Sequence, residues 1–347
     1  DNRAPVEQYR RMIQSYAVNK SLQQRKSQIS GLITNVVDLM PWLNEKKIAM
    51  RDLKPDNLLV AGDPSKFPQF LESAALYSIG LIDVETAVAF DVEDMKKIKQ
   101  PPLGGTPSFS TPTHVLRNET LIAIYQDLPL ILHLQDWYAV IGMIYTIVTG
   151  ERLFDRTAKT LLKLKAGIKD HPKKKAKPLE VFRDASQTFW REACTEFELK
   201  IQENEKRLNY ISLIATKESK FLLGKLISDT QKSISAAMQY TIASQAIFKS
   251  DKIKKNLYAA PHLKIRNFKI KFMDDQAKNL QPEERETAVR ILDELVYLKK
   301  QIAHLLSASN ALKKSVPIIS SYDLLNTIFI IVLVSMHQRK WGPVIFD

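Results

Sequence analysis

Asp52, Lys54 and Asn57 stand close together in the segment Met50-Arg51-Asp52-Leu53-Lys54-Pro55-Asp56-Asn57-Leu58-Leu59-Val60, and another carboxylate, Asp83, follows in Ile79-Gly80-Leu81-Ile82-Asp83-Val84-Glu85. These residue types suit phosphoryl transfer, where the protein contributes positioning and charge stabilisation more than covalent chemistry. Asp52 can take or orient a hydroxyl proton, and Lys54 can neutralise a moving phosphate. The amide oxygen of Asn57 and the carboxylate of Asp83 offer hard oxygens to Mg²⁺. The apolar run Leu58-Leu59-Val60 reads as a short buried strand leaving this polar loop. A lone Asp-x-Lys-x-x-Asn is also what a solvated turn contains, so the pattern has to be weighed with its surroundings.

Those surroundings add three stretches in order. They are Gly104-Gly105-Thr106-Pro107-Ser108-Phe109, then Thr111-Pro112-Thr113, then Asp136-Trp137-Tyr138, which opens an apolar helix that ends at Val148-Thr149-Gly150-Glu151-Arg152-Leu153-Phe154. Together with the loop they resemble the eukaryotic-like serine/threonine protein kinases, whose catalytic loop is H-R-D-L-K-P-x-N and whose metal-binding segment is D-F-G. Seven of the eight loop positions match, and the later stretches look like G-T-P-x-Y, A-P-E and the D-x-W-x-x-G helix. The resemblance spans residues 25–170. It implies Asp52 as catalytic base, Lys54 on the γ-phosphate, Asn57 and Asp83 on Mg²⁺, and Leu59 beneath adenine. ATP and Mg²⁺ are then the cofactors and a protein hydroxyl the substrate. Lys54 and Thr106 are what the serine/threonine branch carries. Asp136 would accept backbone N–H groups of the loop, with a helix N-cap as the alternative. In related kinases an arginine like Arg51 holds a phosphorylated side chain, and the acids Asp91, Glu93 and Asp94 are expected to take that place here.

Four departures from the family pattern bear on packing and catalysis. Met50 and Val84 replace His and Phe of an apolar column, and an apolar column can still pack with them. Glu85 replaces a Gly whose freedom at positive φ would let Asp83 flip. Thr113 replaces the Glu of a buried ion pair. The last two, with the missing ATP-covering lobe, favour an alternative of a different class, a pseudokinase scaffold with a basic helical partner- or membrane-surface-binding domain.

Hydrophobic periodicity supplies the elements that would position these groups. Residues 5–20 and 26–44 read as helices, the second with Ile29, Leu32, Ile33, Val36, Val37, Met40 and Leu43 on one face. No glycine-rich phosphate loop, strand lysine or partner glutamate precedes them, so the chain reads as a piece of a longer protein whose upstream N-lobe covers ATP. Residues 180–216 and 217–248 show three- and four-residue apolar steps and read as a helical hairpin or part of a bundle. A helix begins at Pro282-Glu283-Glu284, and Leu324 to Met336 reads as a buried terminal helix too short for a bilayer. The expected fold is mainly α: residues 1–177 form a protein-kinase-like C-lobe with short β hairpins, and residues 178–347 an all-α helical domain able to fold without it.

Residues 1–155 hold 16 Lys/Arg against 18 Asp/Glu, and residues 156–347 hold 35 against 20, so the whole excess behind the net charge of +13 lies downstream. The basic stretches 156–177 and 249–271 are either solvated faces or contacts for an acidic partner or an anionic membrane surface. No nucleic-acid-binding module accompanies them. His262, His304 and His337 lack metal-ligand spacing. The single cysteine, Cys194, excludes an internal disulfide and is expected as a small buried hydrophobe in a reducing, cytoplasmic setting.

Overall fold

The computed structural model describes residue 12 and residues 20–169, 178–244, 248, 250–275 and 280–343. The expected helix 5–20 falls almost entirely outside these residues. The architecture is mainly helical, with three two-stranded antiparallel sheets among the described residues.

Helix α1 (Lys26–Glu45) buries Ile33, Val36, Val37, Met40 and Leu43, the apolar stripe of its sequence. Strand β1 (Ile48–Ala49) follows, then β2 (Leu58–Gly62), β3 (Tyr77–Leu81) and β4 (Val88–Ala89). β2 pairs with β3, so that Leu59 faces Gly80, and β1 pairs with β4. The run 58–60 is a strand, as read, but it is not a buried one: Leu59 and Val60 are 52% and 42% exposed. The two side chains point to opposite faces of the hairpin, and the hairpin meets α1 through β3, so both faces of β2 stay open there. After α2 (Asn118–Tyr125), helix α3 (Leu128–Thr149) crosses the centre of the molecule with nearly every side chain buried. It starts at the N-cap Asp127, whose side chain accepts the Leu130 N–H. Asp136 therefore sits two turns inside the helix and does not open it, which removes the N-cap alternative.

Helix α4 (Asp155–Lys169) places the first part of the basic block on an amphipathic helix with Ala158, Leu161 and Leu164 buried. The rest of that block, residues 170–177, lies outside the described residues. Helices α5 (Pro178–Glu203) and α6 (Glu205–Tyr210) follow, and the helix expected to run to residue 216 stops at Tyr210. Strand β5 (Ser212–Ile214) takes over and pairs with β6 (Ile318–Ser320), so the downstream half is not all-α. The cause is a local alternation: Ile211, Leu213 and Ala215 are buried while Ser212 and Ile214 are not. Helix α7 (Lys217–Ala243) is capped by Thr216, whose hydroxyl also bonds Asp38 of α1. Then come α8 (Asp251–Ala259), α9 (His262–Asp275) and α10 (Pro282–Lys313), the last with its Pro and acids in the first turn. Helix α11 (Ser321–Leu333) is buried and ends in a widened π-type turn, Val334–Gln338.

α11 packs on α3 and α7 on α1, and the buried apolar side chains of both halves form one cluster. Cys194 lies in it, fully buried, and burial pushes its thiol well above the usual range.

Candidate active site

The 50–57 loop is fixed from beneath by α3. The two oxygens of Asp136 accept the backbone N–H groups of Met50 and Arg51, each at 2.7 Å. That carboxyl is fully buried, and burial pushes its pKa up to about 7 against the opposing pull of those two N–H groups and the Arg51 charge. Arg51 itself is buried, with a positive φ of 66°. Its guanidinium donates to Gln135 Oε1 at 2.9 Å, to the Pro102 carbonyl at 2.9 Å and to the His114 carbonyl at 3.3 Å. Burial lowers its pKa to about 10 although Asp136 raises it. The acids Asp91, Glu93 and Asp94 are exposed, and Asp94 caps its own short turn through the Lys96 N–H. They do not take the place of a phosphate on Arg51, because the guanidinium is bonded to a neutral amide and two carbonyls.

Beyond this clamp the polar side chains converge. Asp52 Oδ1 accepts the Thr106 N–H at 2.8 Å and Asp52 Oδ2 accepts Lys54 Nζ at 3.1 Å. Burial alone would raise the Asp52 pKa, but the bonds from Thr106 and Lys54 outweigh it and hold the group below its ordinary value. Asp52 is therefore an ionised acceptor at neutral pH. Asn57 is buried, and its Nδ2 donates to the Asp52 carbonyl at 2.9 Å, which leaves its own amide oxygen to accept. The Thr106 N–H reaches Asp52 because the chain there is glycine. A Cβ at Gly105 would lie 2.5 Å from Ser110 Oγ and 3.3 Å from the Arg51 carbonyl, and Gly104 holds φ +124°.

Asp83 joins this group through the backbone, since the Ile82 N–H donates to the Asn57 carbonyl at 3.1 Å. Its side chain is exposed, and its backbone is left-handed at φ 55°. Glu85 is not among the positive-φ residues, so the conformation reserved for glycine falls on Asp83 and the replacement at 85 is accommodated in the turn Val84–Thr86. Thr86 ties that turn to the loop by donating its hydroxyl to the Met50 carbonyl at 2.8 Å. Leu59 stands apart from the polar group, bare on the outer face of β2. Met50 is buried, whereas Val84 is 51% exposed, so the apolar column is open at that end. Beside it lies a groove of about 710 Å³ walled by Leu39, Trp42, Met50, Ile79 and Val84.

Thr113 belongs to a neutral network instead of an ion pair. Gln135 Nε2 donates to its hydroxyl at 2.9 Å, and that hydroxyl lies 2.7 Å from Thr111 Oγ1. His114 closes the network: its Nδ1 accepts the Thr111 N–H at 3.0 Å, and its Nε2 is 3.1 Å from the Arg51 carbonyl. Burial, then the Arg51 charge, lower the His114 pKa to about 3, so the imidazole is neutral with its proton on Nε2. Sequence reasoning passed over His114 and Gln135. The Thr-x-x-His spacing of a capping box was the available signal for the first, and nothing local marks the second.

The residues present fit Mg²⁺ in one respect: Asn57 and Asp83 are hard oxygen donors on segments hydrogen-bonded to each other, as a cation that keeps most of its shell as water and phosphate oxygens requires. Among the described residues no group of three His, Cys, Asp or Glu stands ready to hold a metal without such help. Neither the scan against protein-family models nor the comparison with curated proteins gives a match to this chain.

Proposed function

We propose that residues 25–170 are the catalytic lobe of a serine/threonine kinase-like phosphotransferase, acting on a protein hydroxyl. The observation that carries this reading is the convergence on Asp52: one carboxylate, held ionised, with the Thr106 N–H and the Lys54 ammonium on its two oxygens and Asn57 on its carbonyl. Asp52 would orient the incoming hydroxyl and accept its proton. Lys54 lies within reach of the same space and would take charge from the transferring phosphoryl. Thr106 and the Asp136 clamp hold the base where the hydroxyl must arrive. Bound Mg·ATP supplies the γ-phosphoryl group and neutralises its charge, with Asn57 and Asp83 as its protein ligands. On this reading a second lobe completes the nucleotide pocket over Leu59, and the exposed Leu59, Val60, Ile82 and Val84 are the surface it covers. The scaffold alternative draws on the open column at Val84 and on the exposed Asp83.

The test is turnover and nucleotide binding in the full-length protein with Mg·ATP and a generic protein substrate. Asp52→Asn should abolish phosphorylation and spare binding, while Asp83→Ala should weaken Mg²⁺-dependent binding. Full turnover in both variants would sink the assignment. Binding without turnover in the unsubstituted protein would instead favour the scaffold.

A further inference from the structure

Helix α9 has two faces of opposite character. Ile265 and Phe272 are buried and Phe268 half-buried against the core, and Lys269 docks the helix on α10 through Asp293. With about 100° between successive residues, Leu263 and Ile270 fall at nearly the same angle, directly opposite this inner face. They are 60% and 56% exposed. Asn267 lies between them, Lys264 and Lys271 flank them on one side and Arg266 on the other, all exposed. Asp274 is the acid at the far end of the stripe. Over residues 251–275, α8 and α9 together hold seven Lys/Arg against three acids, Asp251, Asp274 and Asp275. Lys264 also borders a groove of about 420 Å³ between the two helices, lined by Ile253, Leu257, Ile265 and Phe268.

Single exposed aliphatics are ordinary on a solvated surface, but two on the same outermost line of a helix, flanked by Lys264, Lys271 and Arg266, form an amphipathic stripe, and a phosphate backbone gives the aliphatics nothing to bury in. An anionic bilayer interface accepts both kinds of group at once: aliphatic side chains enter the acyl boundary while flanking lysines and arginines meet the headgroups. We propose that α9 is an interfacial helix through which this protein docks on anionic lipid membranes, inserting Leu263 and Ile270. The proposal does not depend on the phosphotransfer reading.

It is tested by co-sedimentation of the full chain with phosphatidylcholine vesicles, with and without about 30% phosphatidylserine, at about 0.1 M and about 0.5 M NaCl. Retention is expected on the anionic vesicles, falling at least tenfold on neutral ones and in high salt. Leu263→Glu with Ile270→Glu should lower it a further tenfold without changing the far-UV melting curve, since both positions are exposed. Ile270→Phe should raise it, which keeps the test open if the double variant misfolds. The proposal fails if the unsubstituted protein is not retained or if neutral vesicles retain it equally. It also fails if the double glutamate variant binds as before while both proteins bind heparin alike, which would mark a surface for polyanions.

Discussion

Asp136 accepts the backbone N–H of Arg51 at 2.7 Å, yet the guanidinium of that arginine bonds to Gln135, Pro102 and His114 and not to the carboxylate. The arrangement divides the work: the acid fixes the backbone of the loop, and the base fixes the segment from Pro102 to His114 against it. Asp136→Asn keeps the shape but offers one acceptor where two N–H groups converge, leaving an NH₂ against a donor. The expected cost is about 2–4 kcal/mol, the range for breaking a buried charged hydrogen-bond pair. Urea unfolding measures it, and a loss below about 0.5 kcal/mol, the scatter of neutral surface changes, would mean that the clamp does not hold the loop.

Burial sets an acid-sensitive pattern elsewhere on α3. His133 accepts the Trp137 indole N–H at 3.0 Å on Nε2, its Nδ1 is buried without a partner, and burial lowers its pKa to about 4. The folded value lies below the unfolded one, so this histidine's contribution is intact above about pH 6.5 and is lost as pH falls towards 4. The slope is about 1.4 kcal/mol per pH unit for one such group. Asp136 acts in the opposite sense, since its raised pKa means stability lost as pH rises towards 7. The readout is therefore the difference between the parent and His133→Phe. The parent should lose stability relative to His133→Phe as pH drops from 6.5 to 4.5; parallel curves would show that the imidazole is not held neutral.

The proximity of Asp52, Lys54 and Asn57 was legible because it is local: the three lie within six residues, and short spacing survives translation into space. Helices with a strict stripe, such as α1 and α10, were legible for the same reason. The β5 strand was missed because Ile211, Leu213 and Ala215 satisfy a period of two over five residues, too short to outweigh the helical steps on either side. The partner of Arg51 was missed because it depends on segments brought together by α3. Local charge pointed to Asp91, Glu93 and Asp94, whereas a buried guanidinium found neutral acceptors that cost less to desolvate than a carboxylate.

Glu196 shows the same limit at a helix end. From α5 it accepts the first N–H groups of α4, those of Asp155, Arg156 and Thr157, at 2.9–3.0 Å, and the Thr157 hydroxyl at 2.8 Å. A negative charge there also faces the positive end of the helix dipole. Glu196→Gln replaces one acceptor oxygen by a donor and should cost about 2–3 kcal/mol. Lys232→Ala, which removes only an exposed partner of the exposed Asp229, should cost less than about 1 kcal/mol. Equal losses in the two variants would deny Glu196 its role as a cap.

The ring of Phe329 on α11 stacks on Phe197 with centroids 4.0 Å apart and planes 5° from parallel, and it lies 6.3 Å from Phe154 and 6.4 Å from Trp190. Phe154 in turn stacks on Tyr138 of α3 at 4.8 Å. One aromatic cluster therefore joins residues on both sides of residue 177, and α11 buries itself against α3. A fragment of residues 178–347 would expose that face to water, which argues against the independent folding expected from its periodicity alone. In the whole chain Phe329→Ala should cost about 3–5 kcal/mol, as for other large-to-small changes in a packed core. The fragment itself should unfold over a broad urea range with a shallow slope, the behaviour of loosely packed helices. A steep two-state transition in the fragment, with a midpoint matching the whole chain's, would show that the contact with α3 is dispensable and that the downstream helices form their own folding unit.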